Sequence, residues 1–210
     1  MAFQPLVTIL EAAKITRKKA VGMVVTCEFP HATPADCASH HYDRNRFEYL
    51  APQIAYNNVD VMFGGGVRNV TADIQSHLAG RGTVYLQNDL AGFRSLGNNK
   101  NAWALFCDRE MPYDIDRDTC NIPSLAEMTA KAIDILSRNR EGFFLMVEGS
   151  LIDWAAHGND PVVCITEYLA FDRAVAEAIR FAEQDGETAV IILPDHGNSG
   201  FTLGRRDLEA

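Results

Sequence analysis

Four short runs of this chain are apolar at nearly every position: AVGMVV (20–25), VDVMF (59–63), GFFLMV (142–147) and TAVIIL (188–193). A strand with one wet face alternates apolar and polar residues. A run without alternation is covered on both faces, as in a parallel sheet. TVYLQN (83–88) reads as a further strand. Helical patterns lie between the runs. Residues 5–18 form one, with RKK near its end where cations suit the helix dipole. Thr33-Pro34 reads as an N-cap and first-turn proline, which starts another helix. SLAE (124–127) fits a capping box, with Leu125, Met128, Ala132 and Ile135 at helical spacing behind it. In TEYLAFDRAVAEAIRFAEQ, the residues Phe171, Val175, Ala178 and Ala182 share one face. Strand and helix alternate, so the expected fold class is α/β, a mainly parallel sheet with helices on both faces.

The chain has 210 residues and is 47% hydrophobic, which suits a single α/β domain over 1–210. Residues 67–119 are more polar and less periodic, and read as a less regular insert with loops at GNNKN and DREMPYDIDRD. The net charge, 19 − 28 = −9, argues against nucleic acid and against an anionic membrane as partners. An anionic substrate stays open, because bound cations reverse the local field. No apolar run reaches the ~20 residues of a membrane span. The N-terminus has no basic segment ahead of its apolar one, so no signal peptide is read there. The five cysteines, Cys27, Cys37, Cys107, Cys120 and Cys164, include no CxxC pair and read as buried or spare thiols, with at most one or two disulfides.

Ligands of an open parallel sheet gather outside the carboxyl ends of its strands. Three runs lead directly into metal-binding residue types at that edge. AVGMVV leads to His31 and Thr33, GFFLMV to Glu148, Asp153 and His157, and TAVIIL to Asp195 and His196. Asp and His suit zinc, while Glu148 with Thr33 is an oxygen set suited to magnesium. Taken singly, each has a plainer reading. Asp-His is a common turn, and Asp153 with His157 makes a helical ion pair. Thr33 caps a helix, His31 is a satisfied polar side chain, and GGG (64–66) is a tight turn without dinucleotide-binding spacing. Taken at one edge, they read as a metal site built across several strands.

The blocks VVTCEFPHATPADCASHHYDR, DVMFGGG, FFLMVEGSLIDWAAHGND, AFDRAVAEAIRFA and DGETAVIILPDHGNSG resemble successive blocks of the alkaline phosphatases, in that family's order, over about residues 5–200. The resemblance implies hydrolysis of phosphate monoesters with two zinc ions and one magnesium ion through a phosphoserine. By position it implies Asp153 and His157 at one zinc, Asp195 and His196 at the other, and Thr33 and Glu148 at magnesium. It places His31 at or beside magnesium. Arg44 falls where the family clamps phosphate, with a fork suited to two phosphate oxygens. Trp154 falls near the phosphate where many members have Lys or His. It carries no charge there, so weaker phosphate binding is expected. The family also implies a homodimer working in the periplasm or outside the cell.

Three parts of the family pattern have no counterpart here: the nucleophilic serine, an aspartate shared by zinc and magnesium, and a third zinc ligand that is a downstream histidine. Ser39, Ser150 and Ser199 are not in the nucleophile's context. The expectation is therefore an incomplete three-layer sandwich with two protein ligands per metal, weak zinc affinity and little activity on its own. A non-catalytic metal-binding or interaction protein on the same half-fold is the alternative, and a related phosphodiesterase or sulfatase is another.

Overall fold

The computed structural model describes residues 4–99 and 101–202. Five strands form its sheet: β1 (Ala20–Glu28), β2 (Val61–Gly65), β3 (Val84–Gln87), β4 (Ala102–Leu105) and β5 (Phe143–Glu148). They lie in the order β3-β4-β2-β1-β5, and every neighbouring pair is parallel. The expected sheet at 20–25, 59–63, 83–88 and 142–147 is present. β4 was not expected. Its sequence AWAL is a short apolar run inside the segment read as an insert, and all four residues are buried. Residues 67–119 also hold α4 (Ala72–Gly80) and α5 (Leu90–Arg94).

Successive β1 residues face opposite sides, as strand geometry requires. Val24 joins a cluster with Phe63, Phe93, Met128 and Ile135. Val21, Met23 and Val25 join a second cluster with Leu10, Ile54, Ile74 and Trp103. The first face is covered by α5, α6 (Leu125–Leu136) and α8 (Pro161–Asp185). The second is covered by α1 (Ile9–Arg17), α3 (Phe47–Tyr56) and α4. Apolar burial on both faces is why β1 needs no alternation. Gly22 lets α6 pack closely on it, because a Cβ there would lie 2.7 Å from the Leu136 side chain, which would have to shift.

The helix starts differ in instructive ways. In α1 the capping box is Thr8 with Glu11, both halves formed. At α6, Ser124 Oγ accepts from Glu127 N–H at 3.1 Å, but the Glu127 carboxylate pairs with Arg94 at 2.7 Å instead of closing the box. The helix α2 (Ala32–Ala38) begins ahead of Thr33, with His31 as its N-cap. Thr33 therefore does not cap it. The proline sits third in the helix, where the N–H it lacks would still have had no intrahelical partner. Helix α8 begins at Pro161, with the Asp160 side chain accepting from Val162 and Val163 N–H, both at 3.1 Å. The Asp-Pro step signals that start five residues before the periodic pattern becomes clear.

The expected strand at 188–193 is not formed. Ile191 is 80% exposed and Leu193 69% exposed. An apolar run supplies side chains for a sheet, but a strand also needs a neighbour to complete its backbone ladder. β5 ends the sheet, half-exposed along its whole length, and 188–193 does not pair with it. The five cysteines are all free thiols. Among the described residues, no helix is long and apolar enough to cross a membrane.

Candidate metal centre

All five strands point the same way, so the residues after β1, β2 and β5 reach one edge. At the end of β2 the glycines let a second loop pass. A Cβ on Gly65 would collide with the Arg109 carbonyl oxygen, and Gly66 has φ +101°. Gly66 N–H donates to the carbonyls of Cys107 at 3.0 Å and Arg109 at 2.7 Å. GGG is thus a close-approach turn. Beyond it, Arg68 grips Glu28 at the end of β1 with two bonds, 2.9 and 2.7 Å, and Asn69 adds a third at 2.7 Å. Glu28 is buried. This clamp escaped sequence reading. The signal available was a carboxylate at the end of an apolar run, with Arg-Asn just after the glycines.

His31 occupies the N-cap position of α2 without a capping side-chain bond, and its ring forms T-shaped pairs with Trp154 at 5.5 Å and with Phe47 at 6.3 Å. Burial pushes its imidazole below the usual histidine range, and the Arg44 guanidinium pushes the same way. The carboxylates of Glu148, Glu28 and Asp153 oppose that shift. His31, Arg44, Glu148 and Asp153 therefore share one electrostatic neighbourhood, although they come from the start of α2, the loop after it, the end of β5 and α7. Arg44 is exposed, and its guanidinium makes no hydrogen bond among the described residues. Thr33 stands half-buried in the first turn of α2.

Glu148 is the last residue of β5, in register with Val25 of β1. Its Oε2 accepts from Ser150 Oγ at 2.7 Å and faces the Cys27 thiol at 3.6 Å. Burial and the Glu148 charge push that thiol well up, so Cys27 stays protonated. The helix α7 (Leu151–His157) follows at once and carries Asp153 and His157 one turn apart. His157 Nε2 lies 3.6 Å from Asp153 Oδ2. Trp154 is half-buried and packs against the second core cluster as well as against His31.

Asp195 and His196 are placed less firmly. His196 Nε2 is 3.3 Å from Asp195 Oδ2, but the two side chains are 57% and 77% exposed. Among the described residues, Asn198 is the side chain that hydrogen-bonds their segment to the site. Asn198 Nδ2 donates to Asp153 Oδ1 at 2.7 Å and to the Asp153 carbonyl at 3.1 Å. Among the described residues, no three His, Cys, Asp or Glu side chains converge as a metal-holding cluster. The donor chemistry fits zinc at Asp153 with His157 and at Asp195 with His196, and magnesium at Glu148 with Thr33. The number of donors at each position falls short of a closed site.

The alkaline phosphatase family model matches residues 2–208. The chain belongs to the alkaline phosphatase family. Alkaline phosphatase 4 of Bacillus subtilis is 38% identical over 210 residues, covering 94% of this chain and 44% of that protein. The cold-active alkaline phosphatase of Shewanella sp. superposes with a TM-score of 0.80 at 33% identity, over 87% of this chain and 44% of that one. A variant alkaline phosphatase from the Antarctic bacterium TAB5, with Mg bound in its M3 site, superposes at 0.76 and 31% identity, over 85% of this chain and 52% of that one. The chain thus spans about half the length of the alkaline phosphatases it matches.

Proposed function

We propose that this chain forms the central part of a metal-dependent phosphomonoesterase, with Glu148, Thr33 and His31 serving magnesium and the pairs Asp153/His157 and Asp195/His196 each serving a zinc ion. The observation that carries this reading is the parallel pairing of β1 with β5, which brings Glu148, Asp153 on α7 and His31, 5.5 Å from the Trp154 ring, to one carboxyl edge of the sheet. When bound, zinc supplies Lewis-acid stabilisation of the oxygens around phosphorus. The residues of the chain would do the positioning. Arg44 offers two parallel N–H donors to a phosphate monoester. Trp154 offers a ring edge in place of a charge, so phosphate is held more weakly than beside a lysine. Ser39 and Ser150 are both buried and are not assigned as the nucleophile. The Ser39 hydroxyl donates to the Ala35 carbonyl at 2.7 Å, and that of Ser150 to Glu148. By family likeness the whole protein acts as a homodimer in the periplasm or outside the cell.

The test measures zinc content and p-nitrophenyl phosphate hydrolysis on wild type and Asp153→Ala, both as this chain and as a form extended to the length of its relatives. Weak zinc uptake by the chain and hydrolysis by the extended form are expected. Asp153→Ala should lower zinc content and reduce hydrolysis by at least ~100-fold, since the metal is asked to carry several kcal/mol of the barrier. Full activity of Asp153→Ala would remove it from the metal site. Turnover by this chain that is lost on chelation would reveal a nucleophile within it.

A further inference from the structure

Ser150 occupies the N-cap of α7 and caps nothing. A serine there ordinarily accepts from an N–H of the first turn. Here its backbone is helical, φ −57° and ψ −33°, and the hydroxyl turns back along the chain. It donates to Glu148 Oε2 at 2.7 Å, while its oxygen accepts from Thr26 N–H of β1 at 3.3 Å. The Thr26 hydroxyl accepts from Leu151 N–H at 3.3 Å and closes the link between β1 and α7. The Cys27 thiol faces the same Oε2 at 3.6 Å. Thr26, Cys27 and Ser150 are all buried. Oε1 of Glu148 has no hydrogen-bond partner among the described residues.

We propose that Ser150 is a positioning residue for Glu148, fixing Oε2 against β1 so that Oε1 is presented to a magnesium ion. The inference rests on the reading of Glu148 as a magnesium ligand. An oxygen that already faces two donor hydrogens is a poor partner for a cation, whereas its free twin keeps both lone pairs. A glutamate on a strand end would otherwise sample several rotamers, and the ion would have to order it on binding. Magnesium tolerates little departure from octahedral geometry, so a pre-set carboxylate matters more to it than to calcium. Thr26 N–H fixes the hydroxyl oxygen, and the proton is left pointing at Glu148. Cys27 is the weaker second donor.

The test is a calorimetric titration of Mg²⁺ into the form extended to the length of its relatives, with thermal melts on the same samples. Glu148→Gln should abolish uptake. Ser150→Ala should weaken it by about ten- to a hundred-fold with folding retained, as loss of an outer partner of a metal ligand does. Ser150→Thr, which keeps a hydroxyl, should recover most of the affinity. Cys27→Ala should weaken uptake only about two- to threefold, as its S–H is a weak donor. If Ser150→Ala unfolds, Ser150→Cys keeps the volume, weakens the donor and carries the same expectation. Wild-type affinity in folded Ser150→Ala, beside a Glu148→Gln that has lost uptake, would overturn the positioning role and leave the magnesium reading standing. A folded Ser150→Thr with no recovery would also overturn it. Uptake unchanged in Glu148→Gln, or absent from wild type, would overturn the magnesium reading and this inference together.

Discussion

The edge of the sheet has two halves of unequal finish. Where β1 and β5 end, every carboxylate has been given a place. Glu28 is buried under Arg68 and Asn69, and Glu148 is held by Ser150. At 188–202 the same kind of residues stand nearly bare. Asp195 and His196 have each other and solvent, with Asn198 as the tether to α7. Both halves carry equally clear motifs. The difference is that β1 and β5 are paired to each other along six residues, whereas 188–193 pairs with no strand among the described residues. A ligand is pre-set by the ladder that holds its strand, and a motif without a ladder is only a sequence.

The largest effect is expected in the finished half, at Glu28. Arg68→Ala removes both charge-assisted bonds and leaves a buried carboxylate with Asn69 only. Removing one partner of a buried pair costs about 3 kcal/mol, because the remaining charge is uncompensated. Urea unfolding should show that loss as a lower midpoint at an unchanged slope. A change below about 0.5 kcal/mol would mean that the clamp is ornamental and that the two halves differ less than their geometry suggests.

Much of the finished half was legible in the sequence. Unbroken apolar runs specify strands covered on both faces, and the alternation with helices specifies parallel order, which puts His31, Glu148 and Asp153 at one edge. What escaped reading depends on contacts between distant segments. Arg68 and Glu28 are forty residues apart, and nothing in RNV marks its partner. The Thr33-Pro34 cap was misplaced because a proline is tolerated anywhere in a first turn. The bond from the Ser150 hydroxyl to Glu148 was not read from the sequence, because a serine before a helix ordinarily caps it. TAVIIL matched a strand in every local respect, and local pattern does not report whether a neighbour is there to pair with it.

Burial is not by itself what separates the two halves, and Glu167 sharpens that point. It lies buried on α8 and accepts from Asp114 N–H. Burial raises its carboxyl above the usual range, and the Asp114 charge adds to the rise. The Asp114 N–H, Arg117 and Arg173 oppose it. A carboxyl whose folded pKa exceeds its unfolded pKa binds more protons when folded. Stability contributed by that proton is complete below the unfolded value near 4.5 and is lost as pH rises through the raised value. Glu167→Gln keeps an acceptor for Asp114 N–H and removes the charge. It should stabilise the chain modestly at pH 7, by under about 1 kcal/mol, and the gain should vanish at pH 4. Thermal melts at the two pH values check this. A loss of stability at pH 7 would show that Arg117 and Arg173 outweigh burial, making Glu167 a second paired carboxylate like Glu28.

The smallest expected effect is the one that probes the unfinished half directly. His196→Ala removes a side chain that is 57% exposed and lies close to Asp195, itself 77% exposed. An exposed pair of that kind contributes almost nothing, because water screens it and two mobile side chains must be ordered to make it. Urea unfolding of His196→Ala should therefore match wild type to within about 0.5 kcal/mol, while zinc bound at that pair should fall. A larger loss of stability would mean that residues 188–202 are anchored in solution by more than Asn198. It would then follow that the segment has found a ladder of its own, and the contrast between the two halves of the edge would collapse.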